Sequence, residues 1–437
     1  MLSYYLRLAV GSLRRNKTVT ALMIAAIGLG IGACMTMLTV LHVMSADPIP
    51  GSSAMLFHPQ VEPRDAESAG KDAEPPDQLA WSDAMNLLRE GRPGQQAAMS
   101  AGRVVLHAPG GERSASFVDT RFTTPGFFSL FDVPFLDGHG WSDDDEEKRA
   151  RVVVLGQHLA ERLFGNAKEA VGRSVRLGDA DFRVIGVIRR WQPVPLFYDI
   201  GRGAYAQTED IFMPLHTAVD LHIRNAGSVI CWGDNATLDR DSMATSNECV
   251  WLQLWVRLDT PAQVEAYRHF LVNYSREQKA LGRFTLAPNV RLRNVTEWLE
   301  YNRVVPGGVQ LQALLAVGFL LVCMVNTVAL MLVKFTRRSA ELSVRRAMGA
   351  RKLDVFMQLL VEAAIVGVSG GAIGLALAHA GLWIVRQQPS DYASFARMDV
   401  PMLLSSVALA VAASLAAAVF PAWRTCRLPP ALAIKIQ

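Results

Sequence analysis

The sequence predicts a multi-domain membrane protein: four transmembrane α-helices, with a large α+β domain between the first and the second. Three observations carry this. The 437 residues are 51% apolar and 19% charged, with a mean hydropathy of +0.19, whereas an ordinary soluble chain carries about 25% charged residues. The apolar residues collect into four runs almost free of charge. The basic residues gather at the flanks of those runs. The same composition excludes a disordered chain, which needs low hydrophobicity. Five cysteines are too few for a disulfide scaffold.

Thr18–Met44 holds 27 positions without Asp, Glu, Lys or Arg, and Val309–Val333 holds 25. Val355–Val385 carries one charge, Glu362, and Pro401–Pro421 none. Each run reaches the length, about 20 residues, at which a helix crosses the hydrocarbon core. The first is longer than the roughly 7–15-residue core of a signal peptide, and no A-x-A site follows it, so it reads as an uncleaved anchor.

The flanks set the orientation. Residues 1–17 carry Arg7, Arg14, Arg15 and Lys17 and no acid. Residues 334–354 carry seven basic residues against Glu341 and Asp354, and residues 422–437 carry Arg424, Arg427 and Lys435 and no acid. The loop 386–400 is balanced, with two of each sign. The positive-inside rule then puts both termini and 334–354 in the cytoplasm, and 45–308 outside, across the membrane. Segment 45–308 is acidic, with 35 acidic against 28 basic residues. The overall charge of +4 is therefore a topology signal, and no nucleic-acid partner is expected.

Segment 45–308 is long enough for two subdomains with their own cores. Glu62–Asp77 reads as an exposed loop. Arg151–Leu155, Val171–Leu177 and Phe182–Ile188 read as strands, and Gln157–Phe164 as a helix. Leu252, Leu254, Val256 and Leu258 alternate with Trp251, Gln253, Trp255 and Arg257, the pattern of a strand with one buried face. Pro261 opens a helix reaching about Leu281. Phe284–Leu292 is expected as a strand, and a short helix around Glu297–Tyr301 leads into the second span. Asp143–Glu147 reads as a solvated acidic loop, with calcium binding as the alternative. His216 and His222 have no further ligand pattern, so no metal is assigned. Cys231 and Cys249 are the only cysteines in 45–308, on the oxidising side, and are expected to form a disulfide. Cys34, Cys323 and Cys426 fall within or at the cytoplasmic ends of spans.

No G-x-x-x-x-G-K-[ST], G-x-S-x-G, H-E-x-x-H or C-x-x-C occurs, so no catalytic residue and no cofactor bound by this chain are expected. Residues 337–350, between the second and third spans, read as a short helix. Glu341 and Arg345 can pair at i,i+4, and Gly349 is placed to end the helix. Leu342, Val344, Ala347 and Met348 supply apolar contacts. Such a helix either lies in the interface with its arginines on lipid phosphates or docks a cytoplasmic protein. Gly28 with Gly32, and Gly370 with Gly374, form GxxxG faces expected in the dimer or bundle core. Glu362, the single charge inside a span, is expected to pair with a basic loop residue rather than snorkel.

These residues resemble those of MacB-type (FtsX-like) ABC transporter permeases. The similarity lies in Arg338–Ala350, including Arg338, Glu341, Leu342, Arg345, Arg346, Met348 and Gly349, followed by Gln358 and Glu362 in a Q-x-x-x-E setting. It continues in Pro421-Ala422-Trp423-Arg424 and the tail Leu428, Pro429 and Ala431-Leu432. In 45–308 it lies in Thr124-Pro125-Gly126-Phe127-Phe128, Arg151–Leu155, Leu163-Phe164-Gly165, Val171-Gly172-Arg173 and Val184–Ile188. The resemblance implies a multi-pass protein of the bacterial inner membrane, with a periplasmic porter subdomain and an inserted second subdomain. It implies a second permease, the same chain or a homologue, and a cytoplasmic ABC ATPase dimer docked on the 338–349 segment. In this family ATP-driven closure is transmitted to the periplasmic domain (mechanotransmission), exporting substrate from the periplasm or outer leaflet, in some systems with a membrane-fusion adaptor and an outer-membrane channel. MacB itself carries a fused ATPase domain that this sequence lacks, so ATP and Mg are expected on a separate chain. An FtsX-like signalling permease that regulates a cell-envelope enzyme is the alternative, and the size of 45–308 resembles the MacB domain more closely.

Overall fold

The computed structural model describes residues 11–12, 16–70, 74–90, 94–107, 115–233, 244–388, 391–398 and 400–427. Arg7, Arg14, Arg15, Asp399, the tail from Leu428 to Lys435 and most of the stretch between Cys231 and Cys249 lie outside the described residues. The chain divides into a helical unit, Met1–Ser45 with Val305–Gln437, and a second unit, Ala46–Val304.

The helices used below are α1 Lys17–Met44, α2 Trp81–Glu90, α3 Asp143–Glu147, α4 Gln157–Phe164, α5 Leu215–Asp220, α6 Pro261–Ala280, α7 Val295–Tyr301, α8 Gly307–Arg337, α9 Ser339–Ala347, α10 Lys352–Arg386 and α11 Val400–Arg427. The strands are β1 Leu56–Val61, β2 Leu79–Ala80, β3 Gln96–His107, β4 Ala115–Thr123, β5 Phe135–Gly138, β6 Val152–Gly156, β7 Ser174–Leu177, β8 Ala180–Ile188, β9 Ile211–Pro214, β10 Ile230–Cys231, β11 Cys249–Arg257 and β12 Val290–Asn294.

In the helical unit, α1, α8, α10 and α11 are each long and apolar enough to cross a membrane. Helix α1 packs against α8 and α10, and α10 also packs on α11. Met23, Ile27 and Ile31 of α1 meet Leu359 and Val366 of α10 and Ala410 and Ala418 of α11 in one core. Leu314, Leu315, Val322 and Val325 of α8 stay exposed, as in a helix made for an apolar surround. All four helices extend past the apolar runs, two of them markedly at the C-terminal end. Helix α8 continues to Arg337, and α11 runs through Pro421 to Arg427. Proline removes one backbone bond, but Ala417, Ala418, Pro421 and Ala422 are all buried, and that packing keeps the helix going.

Residues Ala46–Val304 build one twelve-stranded sheet in the order β12-β1-β11-β3-β4-β9-β6-β8-β5, with β2 and β10 on β11 and β7 on β3 and β8. Pairing is antiparallel except between β4 and β9 and between β6 and β8. Each face of the sheet carries its own core. Phe57, Ala98, Val153, Leu155, Leu254 and Val256 point into one. Their chain neighbours Leu56, Ala97, Met99, Val152, Val154 and Trp255 point into the other, with Phe127, Phe131, Phe197, Tyr198 and Trp298.

That second core corrects several expectations. Strand β11 is buried on both faces, because the 197–202 turn and α7 cover the side that carries Gln253 and Trp255. The acids at 143–147 form α3, not a loop. Ser142 and Asp145 make a capping box at its start, and carboxylates are favoured at a helix N-terminus. Glu62 is buried against Arg64 at 2.6 Å, Pro75 and Pro76 are buried, and Ala66–Ala69 forms a short helix capped by Asp65, so the described part of the 62–77 segment is not an exposed loop throughout. The strand expected at Phe284–Leu292 is β12, Val290–Asn294. Pro288 lacks the N–H that an earlier start would need, and Phe284 is instead buried in the core under α6. Cys231 and Cys249 face each other across β10 and β11 and form the disulfide.

Candidate functional site

The connection between α8 and α10 builds the site. Arg338 closes α8 and opens α9. Gly349, one residue beyond the C-cap Met348, sits at φ +104, a backbone that glycine adopts without strain. Its N–H donates to Arg346 O at 3.1 Å. The chain can then turn and start α10 at Lys352.

One face of α9 is buried and the other is bare. Leu342 and Ser343 are buried, whereas Val344 and Met348 are 48% and 76% exposed. The Arg345 guanidinium lies 3.2 Å from Glu341 and donates to Gln358 Oε1 at 3.3 Å. Arg346 donates to Cys426 O at 3.2 Å. The short helix is thus stitched to both α10 and α11.

Under α9 lies a buried ionic cluster. Glu362 accepts from Ser12 Oγ at 2.7 Å, lies 2.5 Å from Lys334 Nζ and 3.0 Å from Arg338 Nη1. Arg338 also donates to Ser12 Oγ, and Lys334 Nζ donates to Thr20 Oγ1 at 3.2 Å. Two cations and the Ser12 hydroxyl around one carboxylate leave its oxygens well satisfied, which an ion at this depth requires. The site therefore ties α1, α8 and α10 at the point where α9 begins. The sequence pointed to Glu362 and Arg338. The expected pairing of Glu362 with a basic residue of the 334–354 segment is met by Lys334 and Arg338. Gln358 showed only in the Q-x-x-x-E setting, its contact with Arg345 comes from packing, and Ser12 did not show at all.

The four glycines of the GxxxG faces meet one another. A Cβ on Gly28 would come 2.9 Å from Ile373 Cγ2 and 3.2 Å from Gly370 O, and one on Gly32 2.7 Å from Leu377 Cβ and 3.2 Å from Gly374 O. On Gly370 it would meet Ile27, and on Gly374 Ile31. Close approach of α1 and α10 depends on all four.

In Ala46–Val304, His216 is held by Glu146, whose Oε1 accepts from its ring and its backbone N–H at 2.8 Å each. His222 lines a separate cavity. Among the described residues no group of three or more His, Cys, Asp and Glu side chains is placed to hold a metal. A cluster that the sequence did not flag lies beneath the sheet. The fully buried Arg121 pairs with Glu209 and, at 2.9 Å, with Asp199, and Arg202 joins Glu209 and Asp119. Burial pushes the Asp199 carboxyl up and outweighs the pull of Arg121. Burial also pushes Glu209 up, but attraction to Arg121 and Arg202 wins and holds it below the usual range. This cluster fastens the 197–202 turn to β4.

The pattern of the MacB-like periplasmic core domain matches residues 20–272, more than half of the chain. That of the FtsX-like permease C-terminal region matches residues 313–430. The macrolide export ATP-binding/permease protein MacB of Wolinella succinogenes is 24% identical over 392 residues, 85% of this chain and 52% of that protein. Its namesake in Syntrophobacter fumaroxidans is 23% identical over 357 residues, 72% of this chain and 47% of that protein. The chain spans about half the length of the curated relatives it matches. Among solved structures, the periplasmic region of MacB from Actinobacillus actinomycetemcomitans aligns with 58% of this chain and 94% of its own, at 14% identity and a TM-score of 0.37. With both patterns in sequence, and a mixed α/β domain between the first two of four spans, the chain belongs to the family of FtsX-like permeases that carry a MacB-like periplasmic core domain.

Proposed function

We propose that this chain is the membrane subunit of a MacB-type ABC transporter, in which a partner ATPase drives movements of the domain between the first two spans. Hydrolysis belongs to the partner, which holds ATP and Mg. This chain receives the force on α9 and passes it to α1, α8 and α10 through Arg338, Lys334 and Glu362. Substrate is exported from the periplasm or the outer leaflet, with a second permease, the same chain or a homologue, completing the assembly. Both termini and α9 face the cytoplasm in this reading, as the basic flanks require.

The observation that carries the proposal is the two-sided character of α9. Leu342 and the arginines anchor it, while Val344 and Met348 are left bare beside its end. An apolar side chain 76% exposed at a basic helix end is a docking knob for a protein groove. The test is purification of the chain with its nucleotide-binding partner. Met348→Asp with Val344→Asp should insert into membranes at wild-type level and lose the ATPase. Full retention of the ATPase by that variant would overturn the proposal.

A further inference from the structure

We propose that the Ala46–Val304 unit holds a binding site for a small anionic amphiphile, in a cavity walled by Phe122, Ala218, Val219, Ile223 and Trp251 with Arg224 at its mouth. The proposal is independent of the coupling role of α9. The cavity measures about 380 Å³, within the range of roughly 300–1,000 Å³ of small-molecule sites.

Its floor is rigid. Phe122 lies on β4 and Trp251 on β11, 1% and 4% exposed. The Trp251 indole N–H is already satisfied by Ala244 O at 3.1 Å, so this wall asks for apolar contact only. Its roof, the segment after α5, is pinned along its length. Ala226 N donates to Ala101 O at 2.9 Å, Asn225 Nδ2 to Ser100 Oγ at 2.9 Å, and Ser228 Oγ to Gln78 Oε1 at 3.2 Å. The Cys231–Cys249 bridge then clamps the end of that segment to β11. A roof fixed at so many points cannot settle onto Phe122 and Trp251, so the space between them is pre-formed. A pre-formed pocket spares a ligand the cost of ordering it.

The charge at the mouth selects the ligand. Arg224 is exposed and makes no ion pair among the described residues. Its guanidinium presents a fork that matches a carboxylate or sulfate. The chemistry that fits is an aromatic or aliphatic body carrying one anionic group. A cation of the same shape would meet Arg224 as a like charge.

The test uses the full chain in nanodiscs of zwitterionic lipid, titrated calorimetrically with empty discs subtracted. Naphthalene-1-carboxylate, octanoate and naphthalen-1-ylmethylammonium are the probes. The carboxylates should bind and the ammonium should not, and the tighter carboxylate tells a planar from an acyl occupant. Arg224→Gln, a surface change, should weaken carboxylate binding at least about tenfold, the loss expected for a charge-assisted contact. Val219→Trp, which fills the space, should abolish it. Equal binding of the ammonium, or titrations of both variants that match wild type, would overturn the proposal.

Discussion

Lys334 on α8 and Glu362 on α10 meet at 2.5 Å with side chains 1% and 2% exposed. Two residues that the sequence separates by 28 positions lock their helices where α9 leaves the bundle. A buried pair of this kind is costly to break on one side, because the remaining charge has no solvent to turn to.

Removing the carboxylate alone should therefore be severe. Glu362→Leu leaves Lys334 and Arg338 buried together and should cost about 3–5 kcal/mol, the usual penalty for orphaning one partner of a buried pair. Adding Lys334→Met should recover much of that stability. Thermal unfolding in detergent measures both, and a single variant as stable as wild type would show that the cluster is not formed.

Gly28→Leu with Gly32→Leu should separate α1 from α10. The new side chains start 2.9 Å and 2.7 Å from Ile373 and Leu377, distances that rigid helices cannot accept. Cysteine pairs introduced across α1 and α10 should cross-link in the parent and fail in the variant. Unchanged cross-linking would place these glycines outside the contact.

The Cys231–Cys249 bridge closes a loop with a sequence separation of 18, which stabilises by about 3 kcal/mol in the chain-entropy model. Denatured, unreduced protein should titrate three thiols, those of Cys34, Cys323 and Cys426, and five after reduction of all the cysteines. Five before reduction would refute the bridge.

His58 is expected to make the stability of Ala46–Val304 depend on pH. Its ring lies between Trp255 and Trp298, with centroids at 5.1 Å and 4.4 Å, and its nitrogens face Leu254 O at 2.8 Å and Asp77 O at 2.9 Å. Burial is the largest influence and pulls the pKa below the ordinary 6.5, against the two carbonyls and Asp77, which push it up. A folded-state pKa below the unfolded one means that stability is present above about pH 6.5 and is lost as the pH falls through the folded value. Unfolding curves of wild type should therefore weaken on acidification more steeply than those of His58→Gln. Parallel curves would contradict the assignment.

Much of this architecture is legible because bilayer length and charge bias act on whole segments. The runs around Gly28, Leu320, Val366 and Ala410 show as spans from composition alone. The helix Gln157–Phe164 and the end of α9 at Gly349 show because local periodicity and a positive-φ glycine need no distant partner. The burial of both faces of β11 did not show, because Trp255 and Gln253 look like a solvent face until α7 and the 197–202 turn cover them. Ser12 beside Glu362, and Asp199 beside Arg121, are pairings set by packing across the fold, which spacing along the chain does not encode. The acidic run at 143–147 misled for a local reason: without the Ser142 cap in view, five acids read as a solvated loop rather than the favoured start of a helix.

The central claim is that α9 carries force between an ATPase and the spans, and ATP hydrolysis by the reconstituted assembly tests it most directly. Arg345 joins Glu341 at 3.2 Å and Gln358 at 3.3 Å, so Arg345→Glu breaks both contacts. Among the described residues Arg345 itself makes none to Glu362; Glu341 also meets Arg338 at 3.4 Å. The account predicts that this variant inserts like wild type while the hydrolysis rate drops to that of the ATPase without the permease. A wild-type rate in the Arg345→Glu assembly would contradict the account.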